Sequence, residues 1–92
     1  MEKVLRIDER DNVVTALDSI QQGETLRVSS AEGDIVITAM QPVKMGHKLA
    51  IFAIAQGEPV IKYGAAIGNA TAAIVPGEHV HCHNLCGYRG RN

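Results

Sequence analysis

One phrase occurs four times in this chain: an apolar residue, two variable residues, Gly, a polar residue, any residue and a second apolar residue. It reads Ile20-Gln21-Gln22-Gly23-Glu24-Thr25-Leu26, Val43-Lys44-Met45-Gly46-His47-Lys48-Leu49, Ile54-Ala55-Gln56-Gly57-Glu58-Pro59-Val60 and Ile74-Val75-Pro76-Gly77-Glu78-His79-Val80. Glycine takes φ > 0 without a Cβ clash, so each copy predicts a tight turn that opens a strand. The intervals between copies are too irregular for a solenoid. The pattern therefore predicts a compact β domain that reuses one turn.

Between the turns lie brief apolar stretches rich in β-branched residues: Val4–Ile7, Leu26–Val28, Ile35–Thr38, Leu49–Phe52 and Val60–Tyr63. Ala31-Glu32-Gly33-Asp34 reads as the turn of a hairpin. Asp11–Leu17 differs. Its Asp is an N-cap candidate, and Val13, Ala16 and Leu17 follow helical spacing, so a short N-terminal helix is expected there. The fold class that follows is mostly β, a small α+β barrel or clip, with one short helix. Residues 87–92 carry no apolar periodicity and read as a C-terminal tail after a domain spanning 1–86.

Ninety-two residues make one small domain, and a chain of this size buries only about two-thirds of its unfolded surface. Aliphatic residues must supply its core, since Phe52, Tyr63 and Tyr88 are its aromatics. So modest a core makes self-association a natural source of stability. A net charge of −1, with no basic run and no aromatic platform, argues against nucleic acid as the main ligand. The sequence shows neither a signal-peptide pattern nor an apolar run of membrane length. Two cysteines, Cys82 and Cys86, suit a reduced chain better than a disulfide framework, so a cytoplasmic location is expected. Cys82 is expected to point into the core.

Three of the four histidines alternate in His79-Val80-His81-Cys82-His83. On a strand they share one face, with Val80 and Cys82 on the other. Imidazole is the commonest metal ligand, and the side chain that titrates most readily near neutral pH. Alternate strand residues lie roughly 6.5–7 Å apart, so His79 and His83 are about twice that distance apart. Metal–nitrogen bonds are about 2.0–2.1 Å for zinc, so one straight strand can hardly bring three rings to one ion. Two of the three plus an outside ligand fit better. His47 is the outside candidate, because it stands where Glu24, Glu58 and Glu78 stand in the other copies of the repeat. The same spacing also suits histidines that decorate an exposed strand or line a subunit contact. Lys48 beside His47, and Lys62-Tyr63 further on, could take a carboxylate and supply a proton. A strand end running into a Gly turn would read the same way.

Taken together, Gly46-His47-Lys48-Leu49-Ala50, the run from Ile54 to Gly64, Ile67-Gly68, and Gly77-Glu78-His79-Val80-His81-x-His83-Asn84-Leu85 resemble the N-terminal SAF domain of altronate and galactarate dehydratases. Asp11–Leu17 is similar to that domain's opening helix. The resemblance covers nearly the whole chain in order. It implies a β-clip fold and a part in dehydrating sugar acids, with a divalent metal, Fe2+ in this family. In fused relatives a large catalytic region follows this domain. The sequence ends at Asn92, so the expectation is a small subunit that completes the active site of a larger catalytic lyase subunit. Within that reading His47, His79, His81 and His83 are candidate metal ligands, and Lys48, Lys62 and Tyr63 candidate substrate contacts. A sulfolactate-type sulfo-lyase small subunit, a sugar-acid-binding module without turnover, and a small metal-binding protein are the alternatives.

Overall fold

The computed structural model describes residues 3–88. They form nine short strands and no helix: β1 (Val4–Leu5), β2 (Val13–Ala16), β3 (Thr25–Val28), β4 (Ile35–Thr38), β5 (Lys48–Ala50), β6 (Pro59–Lys62), β7 (Ala65–Ala70), β8 (His79–Val80) and β9 (Leu85–Gly87). All pairings are antiparallel, in sheets ordered β1-β2-β5-β8, β3-β4 and β6-β7-β9. Among the described residues no helix is long and apolar enough to cross a membrane.

All four repeat copies are turns of one design. The residue after Gly donates its N–H to the carbonyl three residues back: Glu24 to Gln21, His47 to Lys44, Glu58 to Ala55 and Glu78 to Val75. The Gly φ lies between 87° and 89° in every copy, the third-position conformation of a type II turn. Each turn is then stapled to a buried alanine. The N–H groups of Gly23, Gly46, Gly57 and Gly77 donate at 2.8 Å to the carbonyls of Ala39, Ala16, Ala70 and Ala50. Each alanine returns its own N–H to the residue after that Gly.

The copies work in two pairs. Ile20 bridges Val43, and Ile54 bridges Ile74. The first pair, its hairpin β3–β4 and the strand β5 that follows contribute Ile20, Leu26, Ile37, Val43 and Leu49 to one core cluster. The second pair, its hairpin β6–β7 and β8 contribute Ile54, Val60, Ile74 and Val80 to another. A turn, a hairpin, a turn and a short strand thus occur twice.

The expected helix over Asp11–Leu17 is absent, because Val13–Ala16 is strand β2 between β1 and β5. Val13 packs into the second cluster, and Val14 and Ala16 into the first. A strand covered on both faces loses the alternation that would identify it, and its apolar spacing imitates a helix. Asp11 caps no helix. Its Oδ2 accepts N–H groups from Ile7 and Asp8, and its Oδ1 accepts from Gly64 at 2.7 Å. The expected 31–34 turn lies in the loop that joins β3 to β4, as the pairing of Val28 with Ile35 requires. Of the segment read as a tail, Gly87 closes β9, Tyr88 donates its N–H to Ile67, and 89–92 lie outside the described residues.

Candidate functional site

Strand register assembles the histidines. β5 and β8 pair Lys48 with Val80 and Leu49 with His79, so His47 before β5 falls opposite His81 after β8. Leu49 and Val80 have no exposed surface and fix this edge against the core. Nδ1 of His47 lies 2.9 Å from Nε2 of His79, a hydrogen bond in which one ring donates and the other accepts. His47 stacks on His81 with centroids 4.2 Å apart, and His79 on His81 at 5.5 Å. All three residues are half-buried at the surface.

His47 is available because it does not cap its own turn. In the other copies the Glu side chain turns back, and Oε1 of Glu24, Glu58 and Glu78 accepts the N–H of Gln21, Ala55 and Val75, each at 3.0 Å. With His at that position the ring extends across to β8 instead.

The strand expected through His83 stops at Val80. A turn over His81–Asn84 follows, with the Asn84 N–H donating to the His81 carbonyl at 3.0 Å. Oδ1 of Asn84 accepts the His81 N–H and Nδ2 donates to the His79 carbonyl, both at 2.9 Å. The turn lifts Cys82 into solvent, correcting its expected place in the core. His83 is exposed too, with its ring 5.3 Å from that of His79 and tilted by 42°. Sequence reasoning passed over Asn84; its signal was a turn-favouring amide directly after the histidine run. Gln41 was also missed. Its Oε1 accepts the N–H of His79 at 2.9 Å.

Electrostatics favour the neutral form of His79 and His81. Burial lowers the pKa of His79, and the charges of His47, His83, His81 and Lys48 lower it further. Burial also leads for His81, followed by His47, Lys48 and His83. Lys48 is itself pushed down by burial and then by Lys62. Lys48 therefore lies within electrostatic reach of both the rings and Lys62. Tyr63 is exposed on the β6–β7 hairpin. Lys62 pairs with Ala65 around a two-residue loop in which Tyr63 (φ 57°) and Gly64 (φ 76°) both take the left-handed conformation of a type I′ turn. The Lys62 ammonium sits 4.8 Å from the Tyr63 ring centroid.

Among the described residues, one group of three potential metal donors converges: His47, His79 and His81, whose ligand atoms lie within 4.8 Å of one another. Nitrogens about 2.1 Å from one ion in a tetrahedral set lie about 3.4 Å apart, so side-chain shifts of up to about 1.4 Å close the three donors onto it. Neutral imidazole suits Fe2+ as well as zinc, copper and nickel. The donor chemistry and spacing thus fit a divalent transition metal, with His83 outside the group.

Residues 2–87 match the family model described as the altronate/galactarate dehydratase SAF domain. The chain is similar to altronate dehydratase of Bacillus subtilis, 38% identical over 91% of this chain and 16% of the relative. It is similar to altronate dehydratase of Escherichia coli, 42% identical over 87% of this chain and 15% of the relative. The match therefore spans about one-sixth of the length of these dehydratases. It is also similar to the (2R)-sulfolactate sulfo-lyase subunit alpha of Chromohalobacter salexigens, 35% identical over 78% of this chain and 79% of that subunit.

Proposed function

The chain belongs to the altronate/galactarate dehydratase SAF domain family, and on that premise we propose that it is the small subunit of a sugar-acid hydro-lyase, completing an active site built mainly by a larger catalytic subunit. The convergence of His47, His79 and His81 across β5 and β8 carries this reading. The paired turns and their hairpins are read as a SAF-type β-clip that holds this edge.

The reaction is β-elimination from a polyhydroxy acid. The C–H bond α to the carboxylate breaks, its electron pair forms the C=C bond, and the β-hydroxyl leaves with a proton as water. A divalent metal, Fe2+ by family resemblance, would be held by His47, His79 and His81 and, when bound, would supply Lewis-acid polarisation of a substrate oxygen. Lys48 and Lys62 attract the carboxylate and offset the charge that builds on its oxygens as the proton departs. The Tyr63 hydroxyl, exposed on the β6–β7 hairpin beside the Lys62 ammonium, is the proposed proton donor to the leaving group. His83, outside the donor group, is free to take or pass one. The general base is assigned to the partner chain.

The match to a sulfo-lyase alpha subunit over 79% of its length favours one variant of this reading, in which sulfite leaves instead of hydroxide. The test is to purify the chain alone and together with candidate large lyase subunits, and to assay altronate, galactarate and sulfolactate. Turnover of one acid in the mixture only, lowered at least a hundredfold by His81→Ala, is expected. Turnover by the chain alone, or none in any mixture while the chain still binds a sugar acid, contradicts the proposal.

A further inference from the structure

We propose that Asn84 is a positioning residue for the three-imidazole centre, a role that rests on the reading of those rings as metal donors. Among the described residues only Asp11 and Asn84 are both buried and polar or charged. Asp11 is accounted for by the loop and hairpin tip it joins. Asn84 serves the histidines. Its one amide group ties the carbonyl of His79 to the N–H of His81, both at 2.9 Å. Its own backbone is held on both sides, by its N–H to the His81 carbonyl and by the Thr71 N–H to its carbonyl.

The geometric consequence is specific. A straight strand spaces alternate residues by roughly 6.5–7 Å. Here the chain folds after Val80, and the rings of His79 and His81 stand 5.5 Å apart with only 11° between their planes. Among the described residues no other side chain bonds the backbone of both, so Asn84 sets the spacing of two of the three donors. Groups behind a metal's ligands, when lost, typically cost about 10–100-fold in affinity. A buried amide serving two ligand backbones belongs in that range.

Cobalt(II) titration of the full chain, followed by its d–d absorption bands, tests this. Asn84→Ala removes both side-chain bonds. Asn84→Asp keeps the acceptor for His81 but sets an anionic oxygen against the His79 carbonyl. Both are expected to bind Co2+ at least tenfold more weakly than wild type, with altered bands. Ile37→Val, which trims the first core cluster at the β3–β4 hairpin without touching a histidine, lowers the thermal midpoint but keeps wild-type affinity and bands. A second measurement needs no variant. Because coupling is reciprocal, Co2+ saturation of the wild type slows hydrogen exchange of the His81 amide. Folded Asn84 variants with wild-type affinity and bands overturn the role, and so does a His81 amide indifferent to Co2+. A wild-type chain that takes up no Co2+ overturns the metal reading itself, a different result from wild-type uptake that ignores Asn84.

Discussion

At the scale of the residue, one position shows how this chain departs from its own rule. Three copies of the turn close with a Glu that accepts a turn N–H at 3.0 Å, and the second copy substitutes His47. His47→Glu restores the bond to the Lys44 N–H, a net gain of about 0.5–1 kcal/mol at an exposed turn. The variant is expected to match or exceed wild type in urea denaturation, yet to lose Co2+ affinity by more than about tenfold. Lower stability with affinity retained would show that the His ring serves the fold. This anomaly was legible in the sequence because three sister copies define what the position normally holds. Asn84 has no sister copies to stand out against, and its partners are backbone groups that only the folded turn brings together.

Elements were legible where one face is wet and illegible where both are dry. β3 alternates exposed and buried residues, and sequence reading finds it. β2, with Val13 and Val14 facing different cores, reads as a helix until its neighbours are known. The repeat predicts the turns but not their unequal tolerance. At Gly23 an added Cβ meets nothing within 4 Å, whereas at Gly77 it falls 2.0 Å from the Thr38 carbonyl oxygen. Gly23→Ala is expected to cost about 1–2 kcal/mol through its positive φ alone. Gly77→Ala adds an overpacking cost of about 1–3 kcal/mol or more. Equal costs in parallel denaturation curves would contradict the packing of turn four on β4. On the β6–β7 hairpin, Tyr63 holds a left-handed φ that Asn adopts more readily. Tyr63→Asn relieves about 1 kcal/mol of strain and forfeits about 0.5 kcal/mol of exposed cation–π attraction. A small rise in urea midpoint is expected, with lower turnover in the reconstituted lyase. A clear fall in the midpoint would show that the ring supports the hairpin.

At the scale of the molecule, two pH windows separate the site from the scaffold. His79 and His81 have folded-state pKa values below the ordinary 6.5, so the unfolded chain takes up their protons first. Stability is full above 6.5 and drains as pH falls from there through the lowered folded values. Asp8, held at about 2 by the Arg10 guanidinium, contributes above 3.8, and that contribution is lost only as pH falls through about 2. Denaturation curves between pH 7.5 and 5 should therefore show a loss that a His79→Gln, His81→Gln double variant flattens. An unchanged slope in that variant would move the sensitivity elsewhere.

The central claim is that the β5–β8 edge holds one metal ion on three rings, as a lyase domain's share of an active site. The most direct measurement is an anomalous difference map at the iron edge, from crystals of the chain loaded anaerobically with Fe2+. The account predicts one peak bound by ring nitrogens of His47, His79 and His81, with His83 outside it. A peak elsewhere, or none at a saturating Fe2+ concentration, contradicts it.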